Sequence, residues 1–284
     1  MVELLSLMGL NEGQPNLAVP LITLLSDFGL KDPYVAEMKA VITGISPDAR
    51  IVDITHSIDK FNLRMGAFIL ASTIRYFPEG TIHVAVVDPG VGTKRRAIIV
   101  QTERYFCVGP DNGLLMLAAE SDGIKRVYAI VDSKFMLPRI SSTFHGRDVF
   151  APVAAHLANG TPPKKFGPEI KDYDKPRFVK PALQADGELA GEVLHIDDFG
   201  NLITNIMSKD LEKVGIEAAR PLTIRLKDIS LRLSFCGTYG EVPLRSTLAL
   251  IGSHDFLEIA VNQGNASRKL KVRVGDAVIV SQAQ

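Results

Sequence analysis

The stretch Ile82 to Gln101, IHVAVVDPGVGTKRRAIIVQ, sets one carboxylate and three cations between two apolar runs. Asp88 ends the first run, and Arg95 and Arg96 follow across a turn holding two glycines. A turn of this kind can fold a guanidinium back onto the carboxylate. A carboxylate held that way can orient a water and accept its proton, which is general-base chemistry. The plainer alternative is that Asp88, before Pro-Gly, only shapes the bend. A second cluster, SSTFHGRD (Ser141 to Asp148), stands just before an apolar helical run. There His145 could align a water or shuttle a proton, while Arg147 and Asp148 read as an ion pair at the helix start. Asp27 in LLSDFG and Asp53 in IVDITHS also end apolar runs. Each has a structural reading too: Asp27 as a cap for the next helix, Asp53 as the start of a turn with Thr55.

Other chemistries fit less well. The segment DPGVGTKR lacks both the GK[ST] ending and the GxGxxG spacing of a phosphate loop. Asp27, Asp53, Asp88, His56 and His145 could ligate a metal, but no HxxxH pair occurs and Arg95 would repel the ion. No metal and no cofactor are expected. Later in the chain, HIDDFGNLITNI carries Asp197, Asp198, Asn201 and Asn205, and IGSHDFLEIAVNQGNA carries Ser253, His254 and Glu258. Either could be a plain turn.

Several elements must position these groups. Within 284 residues, 46% of them hydrophobic, 32 Lys and Arg balance 32 Asp and Glu. That balance argues against a nucleic-acid footprint and against a polybasic membrane anchor. Cys107 and Cys236, far apart among apolar neighbours, read as buried reduced thiols. Residues 1–18 read as an N-terminal extension, too short in its apolar run for a membrane span and poor as a signal peptide. The protein is expected in the cytoplasm.

From Leu21 the pattern alternates. LITLLSDFG, ARIVDITHS, TIHVAVVDPG and AIIVQTERYFCVG read as strands. DPYVAEMKAVITGIS, LRMGAFILASTIRYFP, NGLLMLAAESDG and RDVFAPVAAHLANG read as helices. Strands apolar on both faces and separated by helices imply a mostly parallel sheet, with ligands beyond the carboxyl ends of its strands. Short strands with Gly and Asn turns follow, implying a β-barrel or sandwich. The expected organisation is an α/β domain over 19–172, a linker over 173–190 and a β domain over 191–284.

Taken together, TLLSDFGLKDPYVAEMKAVI, IVDITHSI, VVDPGVGTKRRAIIV, GPDNGLL, SSTFHGRDVFAP and IDDFGNLITNI resemble, in order, the motifs of the adenosine-forming S-adenosyl-L-methionine hydrolases, relatives of fluorinase and chlorinase. The resemblance runs from about Leu21 to Val280. It implies a Rossmann-like first domain, a C-terminal β-barrel, and a homotrimer with each active site between the first domain of one subunit and the second of its neighbour. The family's Asp-Arg-His set matches Asp88, Arg95 and His145. Its ribose-gripping aspartate matches Asp27, with Phe144 among the substrate-binding positions. The methionine end points to Asn201 and Asp197, and Tyr239, Ser253, Glu258 and Val261 match positions holding the adenine and the amino acid end. Halogenating relatives carry an aromatic residue in place of Asp88, a serine in place of Gly146 and an additional loop, so the resemblance favours water over halide. His254 departs from the arginine that halogenases tend to have.

The reaction implied is hydrolysis of S-adenosyl-L-methionine to adenosine and L-methionine by in-line attack of water at C5′. The sulfonium leaves as a neutral thioether, so neither an acid nor a metal is required. Two alternatives stay open: halide-dependent cleavage, and a sensor that holds adenosine or its sulfonium precursor with little turnover.

Overall fold

The structure is a computed structural model describing residues 19–175, 180–184, 187–217 and 220–283. The extension over 1–18 and part of the linker expected over 173–190 lie outside those residues. The chain divides into two compact units. The first holds the described residues up to Phe61, with Thr73–Leu115 and Ala119–Asp174; the second holds Asn62–Ser72, Met116–Ala118 and the chain from Lys175 onward. Among the described residues no helix is long and apolar enough to cross a membrane.

In the first unit, strands β1 (Leu21–Ser26), β2 (Arg50–Thr55), β3 (Ile82–Val86), β4 (Ala97–Thr102), β5 (Phe106–Pro110), β6 (Ile124–Ala129) and β7 (Glu169–Ile170) form a seven-stranded sheet in the order β2-β1-β3-β5-β4-β6-β7. The neighbours β2, β1, β3 and β5 are parallel, whereas β5 with β4, β4 with β6 and β6 with β7 are antiparallel. The sheet is therefore mixed, not mostly parallel as expected. The cause is local. AIIVQTERYFCVG, read as one strand, is two, closed by a turn in which Tyr105 N–H donates to Thr102 Oγ1 (2.9 Å) and Thr102 N–H to Tyr105 O (3.0 Å). So short a connection permits only an antiparallel pair.

Helices α1 (Tyr34–Ile45), α2 (Leu63–Ile74), α3 (Met116–Asp122) and α4 (Ala151–Ala158) complete this half of the chain. Helix α1 packs on α4, which lies against β1 and β3. Met38 and Ile42 of α1 and Ala151, Val153 and Ala154 of α4 meet Ile22, Leu24, Val84 and Val86 of the strands in one core. Most of α2 packs with the second unit: Phe68 stacks on His195 at 5.0 Å between ring centres and joins Leu194 and Ile203 in a small core.

The second unit holds β8 (Ala182–Leu183), β9 (Leu189–Ile196), β10 (Leu202–Met207), β11 (Leu222–Leu226), β12 (Ile229–Leu233), β13 (Phe235–Cys236), β14 (Thr247–Ile251), β15 (Phe256–Val261) and β16 (Ala277–Gln282), with short helices α5 (Ser208–Lys213) and α6 (Ala266–Leu270). Its nine-stranded sheet runs β12-β11-β16-β9-β10-β15-β14-β13, with β8 beside β9. Strand β12 comes back against β14, so the sheet is barrel-like around a core of Leu202, Leu222, Ile224, Leu257, Ile259, Val278 and Val280. The molecule is a mixed α/β protein with two sheets.

Candidate active site

Parallel pairing sets the first group of site residues. Ser26 of β1 lies beside Val86 of β3, so Asp27 and Asp88 both follow the carboxyl ends of neighbouring strands. From Asp88 the chain turns through Gly90 and Gly92. At Gly92 φ is +74°, and a Cβ there would come within 2.2 Å of the Ser142 carbonyl oxygen. Only glycine lets the turn approach the 141–145 segment this closely.

That turn returns Arg95 to Asp88. Arg95 Nε donates to both carboxylate oxygens at 3.0 Å, and Nη2 donates to Asp88 Oδ2 at 2.6 Å. Nη2 also lies 2.7 Å from His145 Nδ1. A guanidinium can only donate, so Nδ1 must accept, and the neutral imidazole carries its hydrogen on Nε2. Burial, and next the charge of Arg95, hold the His145 pKa below its ordinary value. The Arg95 guanidinium also lies 5.3 Å from the centre of the Phe150 ring, a cation–π contact. Both ion-pair partners are nearly enclosed, with side chains 10% exposed for Arg95 and 5% for Asp88. Arg96, which the same turn could have folded back, goes elsewhere, to Asp111 (2.8 Å) and Asp172 (2.9 Å).

His145 leads into a π-helical turn, Gly146–Phe150, before α4. Such wide turns cluster at functional sites, because the extra residue re-aims neighbouring side chains. Asp148, fully buried, accepts from Ser141 N–H at 2.7 Å and from Arg147 Nε at 2.7 Å, while Arg147 reaches Glu37 of α1 at 2.8 Å. The Arg147–Asp148 pair is thus the brace of the helix start. Phe144 meets Phe28 edge-on at 5.5 Å and Tyr34 at 5.0 Å, and Arg147 covers its ring at 5.0 Å.

Asp27 is buried but not as a helix cap. Its Oδ2 accepts from Phe61 N–H at 2.9 Å, and its carbonyl accepts from Lys60 Nζ. Asp53 pairs with Lys39 at 2.6 Å and lies 3.1 Å from His56 Nε2, apart from the Asp88 group. Among the described residues no three His, Cys, Asp or Glu side chains gather as a metal set.

In the second unit the β9–β10 turn is closed by Asp197. Its two oxygens accept from Asn201 N–H (2.8 Å) and Asn201 Nδ2 (3.0 Å), and Gly200 takes φ +85°. Phe199 at the tip is 77% exposed. Tyr239 Oη donates to Glu258 Oε1 at 2.7 Å. Burial raises the Glu258 pKa; the Tyr239 hydrogen bond lowers it, the charge of nearby Asp197 raises it, and the net shift is upward. Burial and then Glu258 push Tyr239 upward as well. A hydrogen-bonding cluster with two neighbouring acids suits a cationic group.

Not every candidate joins that cluster. Glu258 and Val261 face opposite sides of β15, because side chains alternate along a strand. Val261 sits in the barrel core with Leu257 and Ile259. Ser253 and His254 occupy the β14–β15 turn, with His254 6.4 Å from Phe68. Asn205 serves the backbone, accepting from Glu192 N–H at 2.8 Å. Sequence reasoning missed the aromatic wall of Phe28 and Tyr34 and the Phe150 face beneath Arg95. The signal was there in aromatic residues lying within motifs already picked out for their charges.

Comparison with known proteins matches two family models to successive parts of the chain. The SAM hydroxide adenosyltransferase N-terminal domain matches residues 22–167, and the corresponding C-terminal domain matches residues 191–279. The chain is 41% identical over 258 residues to a (R)-S-adenosyl-L-methionine hydrolase of Thermus thermophilus, covering 88% of this chain and 95% of that protein. It is 30% identical to a fluorinase of Nocardia brasiliensis, covering 92% and 96% respectively. A crystal structure of an uncharacterized conserved protein from Thermotoga maritima superposes with a TM-score of 0.87 at 38% identity, over 92% of this chain and all of that one.

Proposed function

The chain belongs to the SAM hydroxide adenosyltransferase family, and on that premise we propose that it hydrolyses S-adenosyl-L-methionine to adenosine and L-methionine. The observation carrying this reading is the buried Asp88–Arg95–His145 network, which joins a carboxylate and an imidazole through one guanidinium. Water attacks C5′ opposite the sulfur. The C5′–O bond forms as the C5′–S bond breaks, and the electron pair leaves on sulfur, turning the sulfonium into a neutral thioether. The surplus proton passes to Asp88 and then to solvent.

In this reading each side chain has one task. Asp88 draws the water's proton, and Arg95 fixes the carboxylate's direction. His145, with its hydrogen on Nε2, donates to the water oxygen and aligns it. The tautomer supports alignment over proton uptake, because Nδ1 is already occupied by Arg95. Positioning is the main requirement, since the reacting atoms must meet in line at about 3–3.5 Å. No metal or cofactor has a part.

Asp27 grips the ribose hydroxyls through the acceptor capacity left beside its bond from Phe61, and Phe144 offers an apolar face. Asp197, Asn201, Tyr239 and Glu258 hold the methionine end, where an α-ammonium would answer the two acids; Ser253 borders the ligand from its turn, and Val261, in the barrel core, supports the strand that carries Glu258. The parallel strands β2, β1, β3 and β5 support a Rossmann-like description of the first domain, taken over 19–172, with the barrel over 191–284. The two groups of ligand-gripping residues fall in different units, which suits a homotrimer completing each site from a neighbouring subunit. The buried thiols Cys107, pushed up to about 12 by burial, and Cys236 are compatible with the cytoplasm.

Incubating the full chain with S-adenosyl-L-methionine and resolving the products by chromatography tests the proposal. Adenosine and methionine in equal amounts, unchanged by chelator, are expected; intact substrate overturns it. Chloride and fluoride arms test for a 5′-halo product. Gly146 argues against one: a Cβ there would come within 3.1 Å of Phe144, 3.2 Å of Phe28 and 3.3 Å of Met38.

A further inference from the structure

Asp53 and His56 stand outside the Asp88 group, yet they belong to a continuous polar chain. Lys39 Nζ donates to Asp53 Oδ2 at 2.6 Å, and Asp53 Oδ1 lies 3.1 Å from His56 Nε2. His56 Nδ1 lies 2.7 Å from Ser26 Oγ, which accepts from Phe28 N–H at 3.2 Å. The carboxylate beside Nε2 favours the hydrogen there, so Nδ1 accepts the Ser26 hydroxyl. Nε2 then faces Asp53 at ion-pair distance, without the alignment of a hydrogen bond. The path runs from Lys39 and Asp53, whose side chains are 38% and 35% exposed, to Ser26, which is 1% exposed. Enclosure at that level rules out Ser26 as a nucleophile, despite its serine–histidine–aspartate partners. Its hydroxyl serves the chain instead.

The inner end of the path straddles Asp27. Ser26 precedes it, and the Ser26 hydroxyl bonds the residue after it. The same His56–Phe61 segment grips this corner from the other side: Gly29 N–H donates to His56 O at 2.8 Å, and Phe61 N–H to Asp27 Oδ2 at 2.9 Å. Phe61 does so at φ +64°, a left-handed conformation that bulky residues rarely adopt. Strain of this kind persists where the surroundings over-determine it. The geometry points to Ser26 and His56, braced by Asp53 and Lys39, as positioning residues that aim the Asp27 carboxylate. This rests on the reading of Asp27 as the group that grips ribose. The Asp88 group needs no such relay, because Arg95 aims its carboxylate directly.

Calorimetry with two probes, adenosine and 2′,3′-dideoxyadenosine, tests the inference on the full chain. Wild type should prefer adenosine, with Asp27→Asn setting the floor of that preference. Ser26→Ala and His56→Ala should each cut the preference about fivefold, the scale of one lost hydrogen bond, while dideoxyadenosine affinity stays within about twofold. Asp53→Asn, at the exposed end, should cut it about twofold and is the decisive variant if the buried ones do not fold. Folded variants that keep the full preference, or lose both ligands equally, overturn the positioning role alone. A wild type that does not distinguish the probes overturns the Asp27 reading and this inference with it.

Discussion

The polar groups of the two units are built on opposite principles. In the first unit, Asp88, Arg95 and His145 satisfy one another: opposite charges meet, the guanidinium serves both partners, and Phe150 backs it. In the second, burial raises the Glu258 pKa against the Tyr239 hydrogen bond, and the charge of Asp197 adds to the rise. The first arrangement is complete without a ligand and suits a catalyst that must not reorganise during reaction. The second is left electrostatically unbalanced and suits a binding subsite that a cation completes. Chemistry and affinity should therefore separate by region.

The sharpest way to break that comparison is Asp88→Ala. Turnover should fall about 10²–10⁴-fold, the usual worth of a general base, while adenosine binding by calorimetry survives. Equal turnover would remove the base from the mechanism. Arg95→Lys comes next: an ammonium cannot fork across Asp88 and still reach His145. The expected loss in kcat is about 10²-fold, as for a catalytic group displaced by about 1 Å, with KM little changed.

Glu258→Gln probes the other region. KM for S-adenosyl-L-methionine should rise about tenfold, as for a lost charged hydrogen bond, with adenosine affinity unaffected. A drop in kcat instead would place Glu258 in the chemistry. The smallest effect is the pH response. His145 works neutral, and its pKa lies below the ordinary 6.5. Protonation would put a hydrogen on Nδ1, against the donors of Arg95. Thus kcat/KM should stay level as pH falls to 6.5 and decline only below it; a decline centred above 6.5 would contradict the tautomer.

Local rules made much of this legible from residues alone. Asp88 and Arg95 are seven positions apart across a glycine turn, and short loops have few conformations, so a cation returning to Asp88 was legible; the structure chose Arg95 over Arg96. The strand run was legible as well, since burial on both faces leaves an unbroken apolar stretch. Pairing direction was not: TERY in AIIVQTERYFCVG looks like strand, and the Thr102–Tyr105 hydrogen bonds instead close it into the hairpin that sets β4 antiparallel to both its neighbours. Aromatic placement was equally hidden. Phe28 and Tyr34 lie more than a hundred residues before Phe144, and only packing brings the three rings within 6 Å. Val261 followed the alternation of its strand into the core, which motif matching does not register. Residue type and spacing determined which groups are reactive; the fold decided which face one another, because distance in space, not along the chain, sets electrostatic and hydrogen-bond energy.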